Sequence, residues 1–149
     1  MLQSVGFVWS DIYFLNMDIT ERAREIFSHD LFATEATGIA IEHVGEHESR
    51  CSLRVGEKHC NARGVVMGGV LYTLGDFAAA VAVNMNTLQW VSLDATMHYL
   101  AAVPLGATLV ATAKAIKHGR TTALYQTIIE NPDNGKRVAI VETTMMKVG

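Results

Sequence analysis

The stretch Gly68–Val83 reads GGVLYTLGDFAAAVAV, and the fold depends on it. Every residue in it is apolar or small except Asp76, which places a carboxylate near the middle. A helix that is hydrophobic all round is normally buried in a protein core. An ionised carboxylate is costly to bury alone, so such a group finds donors, shifts its pKa or takes part in chemistry. The stretch therefore predicts a buried helix with Asp76 as a candidate functional residue.

The double glycine at the start of this helix adds a second feature. If the helix begins at Gly68, the free N–H groups of Gly68 and Gly69 form a donor-rich, positive end. The helix would then offer oxyanion donors at its start and a carboxylate about two turns further on, as in an acyl-transfer site. A core helix whose Asp76 bonds nearby backbone or lies at a subunit interface is the alternative, because structural networks also bury acids. A membrane span over Val65–Val83 is disfavoured by Asp76 and the glycines.

Length and composition limit the class of protein. A chain of 149 residues makes one domain with a substantial core. Half of the residues are hydrophobic and 18% are charged, which predicts surface buried between subunits and hence a homo-oligomer. The net charge of −3 argues against nucleic acid as the main partner. Cys51 and Cys60 form no Cys-x-x-Cys pair, and two cysteines suit a reduced, cytoplasmic protein at least as well as a single disulfide.

The first sixteen residues differ from the rest of the chain. Residues 1–16 are apolar and aromatic and contain no Lys or Arg, so they make a poor signal peptide. We predict an N-terminal extension that packs on the surface or stays disordered, followed by one domain over residues 17–149. Asp18 and Glu21 resemble a capping box that opens a helix to about Ser28.

The remainder of the chain predicts strands separated by turns. The predicted strands are residues 37–44, 49–55, 88–100, 107–117, 121–130 and 136–147, with a loop at 58–67. Hairpin signals occur at residues 118–119 and 131–135. Within residues 121–130, Ala123, Tyr125, Thr127 and Ile129 share one face. The pattern predicts an α+β protein, an antiparallel β-sheet wrapped around a long central apolar helix.

Several of these segments together resemble a known family. The motif His59–Ala78, HCNARGVVMGGVLYTLGDFA, resembles the signature of the PaaI-like acyl-CoA thioesterases of the hotdog fold, in which an Asn, a Gly, His-Gly-Gly and an Asp recur at this spacing. Residues 91–94, 99–100 and 104–106 look like the family's next strand and closing turn. Lys117–Thr121 is similar to the hairpin that follows. The resemblance covers residues 18–148.

The resemblance implies a function and a role for each matching residue. The protein would hydrolyse an acyl-CoA to the free acid and coenzyme A, with Asp76 as nucleophile or general base. The Gly68 N–H, with that of Gly69 beside it, would polarise the thioester carbonyl. Asn61 would bond the attacking water or the substrate, and Ser92 would position the nucleophile. Coenzyme A is needed only as part of the substrate, and no metal or other cofactor is implied. The resemblance also implies a homotetramer, a dimer of dimers, whose sites draw helix and strand from different subunits.

Met67 departs from the family pattern, because it stands where the family often has the His of His-Gly-Gly. A thioether cannot donate a hydrogen bond or shuttle a proton. Met67 therefore favours one alternative, an acyl-CoA binding or sensing protein without turnover, while the retained Asp76 and Asn61 weigh against it. A third hypothesis is an acyl-CoA hydratase or dehydratase on the same fold, but that chemistry usually needs an Asp/His pair, and no His lies near Asp76 in sequence. The acyl group itself is not encoded in any recognisable motif.

The basic residues and the remaining candidate ligands each have a functional and a simpler explanation. Lys114, Lys117 and Arg120 could hold the phosphates of coenzyme A near the hairpin that also contains Gly119 and Thr121, with a solvated strand end as the alternative. We expect His59 to be a solvated loop residue and Cys60 a bystander. His43 and His47 have the spacing of a metal-binding helix pair, but the predicted turn favours a solvated hairpin. Met145 and Met146 are predicted to be packing residues.

Overall fold

Six antiparallel strands and one long helix define the architecture in a computed structural model that describes residues 9–149. The strands are β1 (Ala40–Gly45), β2 (Glu48–Arg54), β3 (Trp90–Tyr99), β4 (Thr108–His118), β5 (Thr122–Asn131) and β6 (Lys136–Lys147). The helices are α1 (Trp9–Asn16), α2 (Ile19–Ile26) and α3 (Gly68–Val83), with 3-10 turns at Phe27–His29 and Glu57–His59 and a π-helical turn at Phe32–Thr37. In the sheet the strands lie in the order β1-β2-β4-β5-β6-β3, so β3 lies at one edge.

Helix α3 has the predicted bounds and lies against the sheet. Gly75 allows the closest approach, because a Cβ there would come within 2.5 Å of the Val141 Cγ2 atom on β6. Two buried hydroxyls also bond carbonyls of the helix: Ser49 Oγ donates to Ala78 at 2.6 Å, and Thr127 Oγ1 donates to Gly75 at 3.3 Å. The helix is therefore held on the sheet by close packing and by hydrogen bonds from β2 and β5.

The strand predictions are confirmed with small shifts in their ends. Strand β6 has the predicted bounds, and β5 buries the predicted face of Ala123, Tyr125, Thr127 and Ile129. The turns between β4 and β5 and between β5 and β6 lie at the two hairpin signals. The alternation of the strands is a local property, so the sequence carries it well.

The first predicted strand, residues 37–44, begins too early. Residues 32–37 instead form a π-helical turn that ends at Gly38 (φ +83°), and β1 begins at Ala40. The Ile39 N–H bonds the Ala33 carbonyl at 2.9 Å, which closes this turn before the strand can start. The apolar side chains of this segment therefore enter the core from a helical turn.

The N-terminal helices confirm the predicted cap at Asp18 but not the full capping box. The Asp18 side chain accepts from the Thr20 N–H at 3.2 Å and caps α2, while Glu21 pairs with Arg24 instead of returning to the cap. The extension predicted for residues 1–16 includes residues outside the described chain; its second half is α1. Of the helices in residues 9–149, none has the length and hydropathy needed to cross a bilayer.

Candidate active site

Helix α3 leaves one stripe open to the surface, and Asp76 lies on it. The stripe runs along Gly69, Tyr72, Thr73, Asp76 and Ala80, which are exposed or half-buried, while the opposite faces are in the core. The prediction of a helix buried on every side is therefore wrong for this stripe, because the sheet covers only part of the helix circumference. Asp76 is half-buried in the single chain and accessible to solvent.

Ser92 is the hydrogen-bond partner of Asp76. Its Oγ donates to Asp76 Oδ1 at 2.8 Å. The pairing of β3 with β6 shifts register between Ser92 and Asp94, and such bulges turn side chains away from the regular alternation. Ser92 Oγ also lies 3.5 Å from the Met145 sulfur, so Met145 packs beneath this pair. Within residues 9–149, Asp76 Oδ2 has no hydrogen-bond partner.

The start of α3 offers free amide donors. Met67 occupies the N-cap position with no side-chain cap, and its side chain is 56% exposed. Its N–H bonds the His59 carbonyl at 2.8 Å. In the part of the chain that the structure describes, no acceptor pairs with the N–H of Gly68 or Gly69. The predicted donor end is therefore present, with an exposed thioether beside it.

One chain does not bring the donor end and the carboxylate together. Gly68 and Asp76 are eight residues apart on one helix, so a rise of 1.5 Å per residue separates them by about 12 Å. Reacting atoms must lie about 3 Å from the groups that act on them. A single thioester carbonyl therefore cannot contact both groups of one chain.

Asn61 organises the loop before α3. Its Oδ1 accepts from the Arg63 N–H at 2.9 Å and from the Val65 N–H at 3.5 Å. Its backbone N–H also bonds the Val65 carbonyl at 2.8 Å. Because the amide oxygen is occupied within the loop, the group that Asn61 can offer to a substrate or a water is its NH2 donor.

The expectation of a solvated His59 is wrong. The ring is 5% exposed, with Nδ1 accepting from the Gly56 N–H at 2.9 Å and Nε2 lying 2.7 Å from the Thr37 carbonyl oxygen. These partners require a neutral ring with the proton on Nε2. His59 joins the loop to the π-helical turn and, through its carbonyl, to Met67. The 3-10 turn Glu57–His59 directs the ring into the core. The loop is polar in sequence, so its residue pattern does not reveal that one of its side chains is buried.

The structure separates the basic residues into two groups. Lys114 Nζ lies 3.6 Å from Glu48 Oε2, so its charge is partly matched. Lys117 and Arg120 are exposed at the β4–β5 hairpin and make no ion pair among residues 9–149. The hairpin is tight at Gly119, whose N–H bonds the Thr122 carbonyl at 2.9 Å. The exposed charges of Lys117 and Arg120 therefore flank a hydrogen-bonded turn that also carries Thr121.

An aromatic cluster at the end of the sheet was missed by the sequence. The rings of His47 and His118 stack with centroids 4.0 Å apart, and Trp90 contacts His118 at 4.9 Å. The Tyr125 Oη lies 3.1 Å from Nδ1 of His118 and 3.4 Å from Nδ1 of His47.

Burial, and then the charge of His47, lower the pKa of His118. Burial raises the pKa of Tyr125 to about 12. His47 is therefore half-buried against this cluster, while His43 is exposed, as expected for a solvated hairpin.

The cysteines and the candidate metal ligands form no further site. Burial raises the pKa of the Cys51 thiol to about 12, so the thiol stays protonated. Cys60 Sγ lies 3.7 Å from the Gly56 carbonyl oxygen. His43 contacts Glu48 and lies apart from the ring cluster of His47. Among residues 9–149, no three His, Cys, Asp or Glu side chains are grouped as metal ligands.

Comparison with known proteins identifies the family. A sequence profile of the thioesterase superfamily matches residues 63–138. The acyl-coenzyme A thioesterase PaaI of Escherichia coli K12 is 30% identical over 129 residues, which are 87% of this chain and 91% of that protein. The solved E. coli PaaI structure superposes with a TM-score of 0.77 at 26% identity, covering 89% of this chain and 97% of that one. A hypothetical thioesterase of Streptococcus pneumoniae, solved with coenzyme A, gives a TM-score of 0.76 at 26% identity, covering 85% and 97%.

The chain belongs to the thioesterase superfamily. Its α+β architecture is the hotdog fold, its resemblance to the PaaI-like branch is confirmed, and it is a thioester hydrolase. The roles of individual residues remain predictions.

Proposed function

We propose that this protein hydrolyses an acyl-CoA thioester to the free acid and coenzyme A. The bond from Ser92 Oγ to Asp76 Oδ1 carries the proposal, because it fixes a solvent-accessible carboxylate on the helix that begins with free amide donors. The names of the relatives support the substrate class, since E. coli PaaI is an acyl-coenzyme A thioesterase and the S. pneumoniae structure contains coenzyme A. Coenzyme A enters as part of the substrate, and no other cofactor is proposed.

Asp76 acts as the base for an attacking water or as the nucleophile itself. Ser92 holds Oδ1, which leaves Oδ2 free to accept a proton from water or to attack the carbonyl carbon. Either step adds an oxygen to the thioester carbon and expels the coenzyme A thiolate. Asn61 would bond the water or the substrate through its NH2 group. In the nucleophilic route the carboxylate forms an acyl-enzyme anhydride, which a water must then hydrolyse to release the free acid. In the base route water attacks the thioester directly, and the proton that it gives to Asp76 passes to the leaving thiolate.

The oxyanion donors come from the start of α3. The N–H of Gly68, with that of Gly69, would hold the developing oxyanion, and the positive end of the helix dipole supports the same charge. Because Gly68 and Asp76 of one chain are about 12 Å apart, we place the donors and the carboxylate of one site on two subunits. Met67, which is exposed beside these donors, would then border the substrate.

The exposed edge strand offers the contact between subunits. Among the strands of residues 9–149, β3 pairs only with β6, so its other edge presents free backbone groups together with the exposed side chains of Val91 (45%) and Leu93 (58%). Pairing two β3 edges antiparallel creates a two-fold axis perpendicular to the sheet. That axis reverses the direction of α3 in the second copy, so Gly68 of the partner subunit approaches Asp76. Two such dimers would form the proposed tetramer.

The β4–β5 hairpin is the proposed contact for the coenzyme A phosphates. Lys117 and Arg120 carry exposed charges on either side of Gly119, and Thr121 adds a hydroxyl. Charge-assisted bonds to phosphate oxygens are the strongest hydrogen bonds these side chains can make. Lys114 is not included among these phosphate contacts, because its ammonium group already lies beside the Glu48 carboxylate.

A thiol-release assay tests the activity and the substrate class together. Short, medium, long and aryl acyl-CoAs are supplied, and the free coenzyme A thiol is measured with a chromogenic disulfide. We expect enzyme-dependent release with at least one acyl class. No release from any of them, with coenzyme A still bound in a direct titration, would replace the hydrolase proposal with the acyl-CoA binding alternative.

A mixing experiment tests whether two chains share one site. Asp76→Asn removes the carboxylate. Gly68→Pro removes the N–H at the first helical position, where the backbone accepts proline, and its ring also crowds Tyr99, so both effects disable the donor end. Each variant alone should be inactive. When the two variants are co-expressed with different tags, about half of the dimers contain one chain of each variant. Each such mixed dimer has one intact site of two, so about a quarter of the parent activity should return. No recovery in purified mixed dimers would place the whole site in one chain.

Light scattering tests the assembly itself. We expect a mass of two or four chains at micromolar concentration. A stable monomer would rule out the shared site, since its two parts would never meet.

A further inference from the structure

The side chain of Tyr99, the last residue of β3, lies directly against the first residue of α3. Its Oη donates to the Gly68 carbonyl oxygen at 3.3 Å. A Cβ built on Gly68 would lie 3.0 Å from Tyr99 Cζ and 3.1 Å from Cε1. Such distances are tighter than ordinary van der Waals contact, so the ring takes this position without a shift because residue 68 has no side chain.

The carbonyl that Tyr99 contacts belongs to the peptide group that carries the Gly69 N–H. A peptide group is planar, so a contact that fixes the carbonyl also fixes the direction of this N–H. A hydrogen bond accepted by the carbonyl polarises the group and strengthens its N–H as a donor. Inside residues 9–149, the Gly69 N–H has no acceptor of its own. Its donor capacity is therefore open to a ligand.

We propose that Tyr99 is a positioning residue that holds the Gly68–Gly69 peptide and makes the Gly69 N–H the second oxyanion donor. Tyr99 touches no reacting atom in this arrangement and acts only through the peptide. The assignment of the Gly69 N–H as an oxyanion donor rests on the proposed function, thioester hydrolysis. The geometry on which it stands, the ring against Gly68 and the hydroxyl on its carbonyl, does not depend on the substrate.

The same ring also forms a wall of a groove beside the helix start. The groove has a volume of about 380 Å³. Its other lining residues are Val66, Gly68, Leu71, Leu100, Ala101 and Ala102. Because loss of the whole ring would alter this mostly apolar groove as well as the peptide, the informative substitution removes only the hydroxyl.

Steady-state kinetics of Tyr99→Phe are the first test. The ring stays in place, so we expect KM and Tm to remain at the parent values. Loss of one hydrogen bond that orients a donor should lower kcat about threefold to tenfold. Tyr13→Phe is the matched control and should change nothing, because the Tyr13 side chain on α1 is exposed. An unchanged kcat, or a change confined to KM, overturns the positioning role.

A double-mutant cycle tests whether Tyr99 acts through Gly68. Gly68→Ala keeps the Gly68 N–H, and its Cβ requires the Tyr99 ring to shift by a few tenths of an ångström. We expect it to lower kcat, and we expect Tyr99→Phe to add little in that background, because the shift lengthens a hydroxyl contact that is already 3.3 Å long. Fully multiplicative effects of the two substitutions overturn the inference.

The third test does not depend on activity. In protein labelled with 15N-glycine, the Gly69 amide proton should move upfield in Tyr99→Phe, since its peptide loses a polarising donor. Gly135, in the β5–β6 turn, is the internal reference. An unmoved Gly69 resonance overturns the Tyr99 inference even if the protein hydrolyses acyl-CoA. A parent protein without hydrolysis overturns the proposed function, while a moved resonance would still establish that Tyr99 holds the peptide.

Discussion

Ser92 on β3 and Asp76 on α3 are joined side chain to side chain by a hydrogen bond of 2.8 Å, across sixteen positions of sequence. The bond fixes one carboxylate oxygen and leaves the other open. It also links the edge strand, through which we propose that subunits pair, to the carboxylate proposed to act on the thioester. A change in the position of β3 would therefore be transmitted to Asp76.

Asp76→Asn should remove most thioester hydrolysis while the fold and the oligomer remain intact. The amide has nearly the shape of the carboxylate but cannot accept the proton of the attacking water. Loss of a general base typically lowers the rate by about 100-fold to 10,000-fold. The thiol-release rate and the mass by light scattering are the measurements. Asp133→Asn, in the β5–β6 turn, is the control, and parent-like turnover in the Asp76 variant would reject the catalytic assignment.

Ser92→Ala should lower kcat with little effect on KM. It deletes the donor that orients Oδ1, so the carboxylate spends less time in the productive position. A hydrogen bond to a charged group contributes about 1.5–3 kcal/mol when well formed, and partial exposure here reduces it, so we expect about a threefold to thirtyfold loss. Ser52→Ala, which removes a serine bonded to the Glu42 carboxylate on β1, is the matched control. A parent kcat would show that the Ser92–Asp76 contact has no catalytic role.

The sequence predicts the central helix and the sheet well because both follow local patterns. The bounds of α3 come from a glycine pair and a continuous apolar run, and the faces of β5 follow strict alternation. Asp76 and Ser92 were paired only through the family resemblance. Their contact depends on a register shift in β3, which no local pattern encodes.

Long-range packing accounts for what the sequence did not show. The burial of His59 depends on the carbonyl of Thr37, 22 positions away, and the stacking of His47 on His118 joins two hairpin turns. Tyr99 was noted only as part of a motif, because its contact with Gly68 spans 31 positions. Such contacts arise from tertiary structure, so composition and periodicity do not reveal them.

His59→Ala should destabilise the protein. The substitution leaves the Gly56 N–H and the Thr37 carbonyl without their partners and opens a cavity, so the free energy of unfolding should fall by about 2–4 kcal/mol. The midpoint of urea unfolding measures the loss. His29→Ala, at an exposed position after α2, should stay near the parent. Equal midpoints for the two variants would mean that the buried ring contributes nothing to stability.

His118 should make the protein less stable in mild acid. Burial and the charge of His47 lower the pKa of His118 in the folded state below its ordinary value of 6.5. Between those two pKa values the unfolded chain binds a proton that the folded chain resists, so stability falls as the pH drops below about 6.5. The urea midpoint should decrease less between pH 7.5 and 5.5 in His118→Gln than in the parent. An identical decrease in both proteins would exclude His118 as the source, and His29→Gln controls for the loss of any surface histidine.

Met67→His tests the departure from the family pattern at the exposed start of α3. The imidazole would lie beside the Gly68 donor and could give a hydrogen bond to the thioester oxygen or to a water. One good hydrogen bond made only in the transition state raises the rate about tenfold to a hundredfold. We therefore expect faster hydrolysis of the best substrate without tighter coenzyme A binding, measured by thiol release and by titration. If Met67 instead packs against the acyl chain, the affinity for longer acyl groups should fall while the hydrolysis rate stays unchanged. Met17→His is the control, and a Met67 variant equal to the parent in rate and in chain-length preference would contradict both accounts.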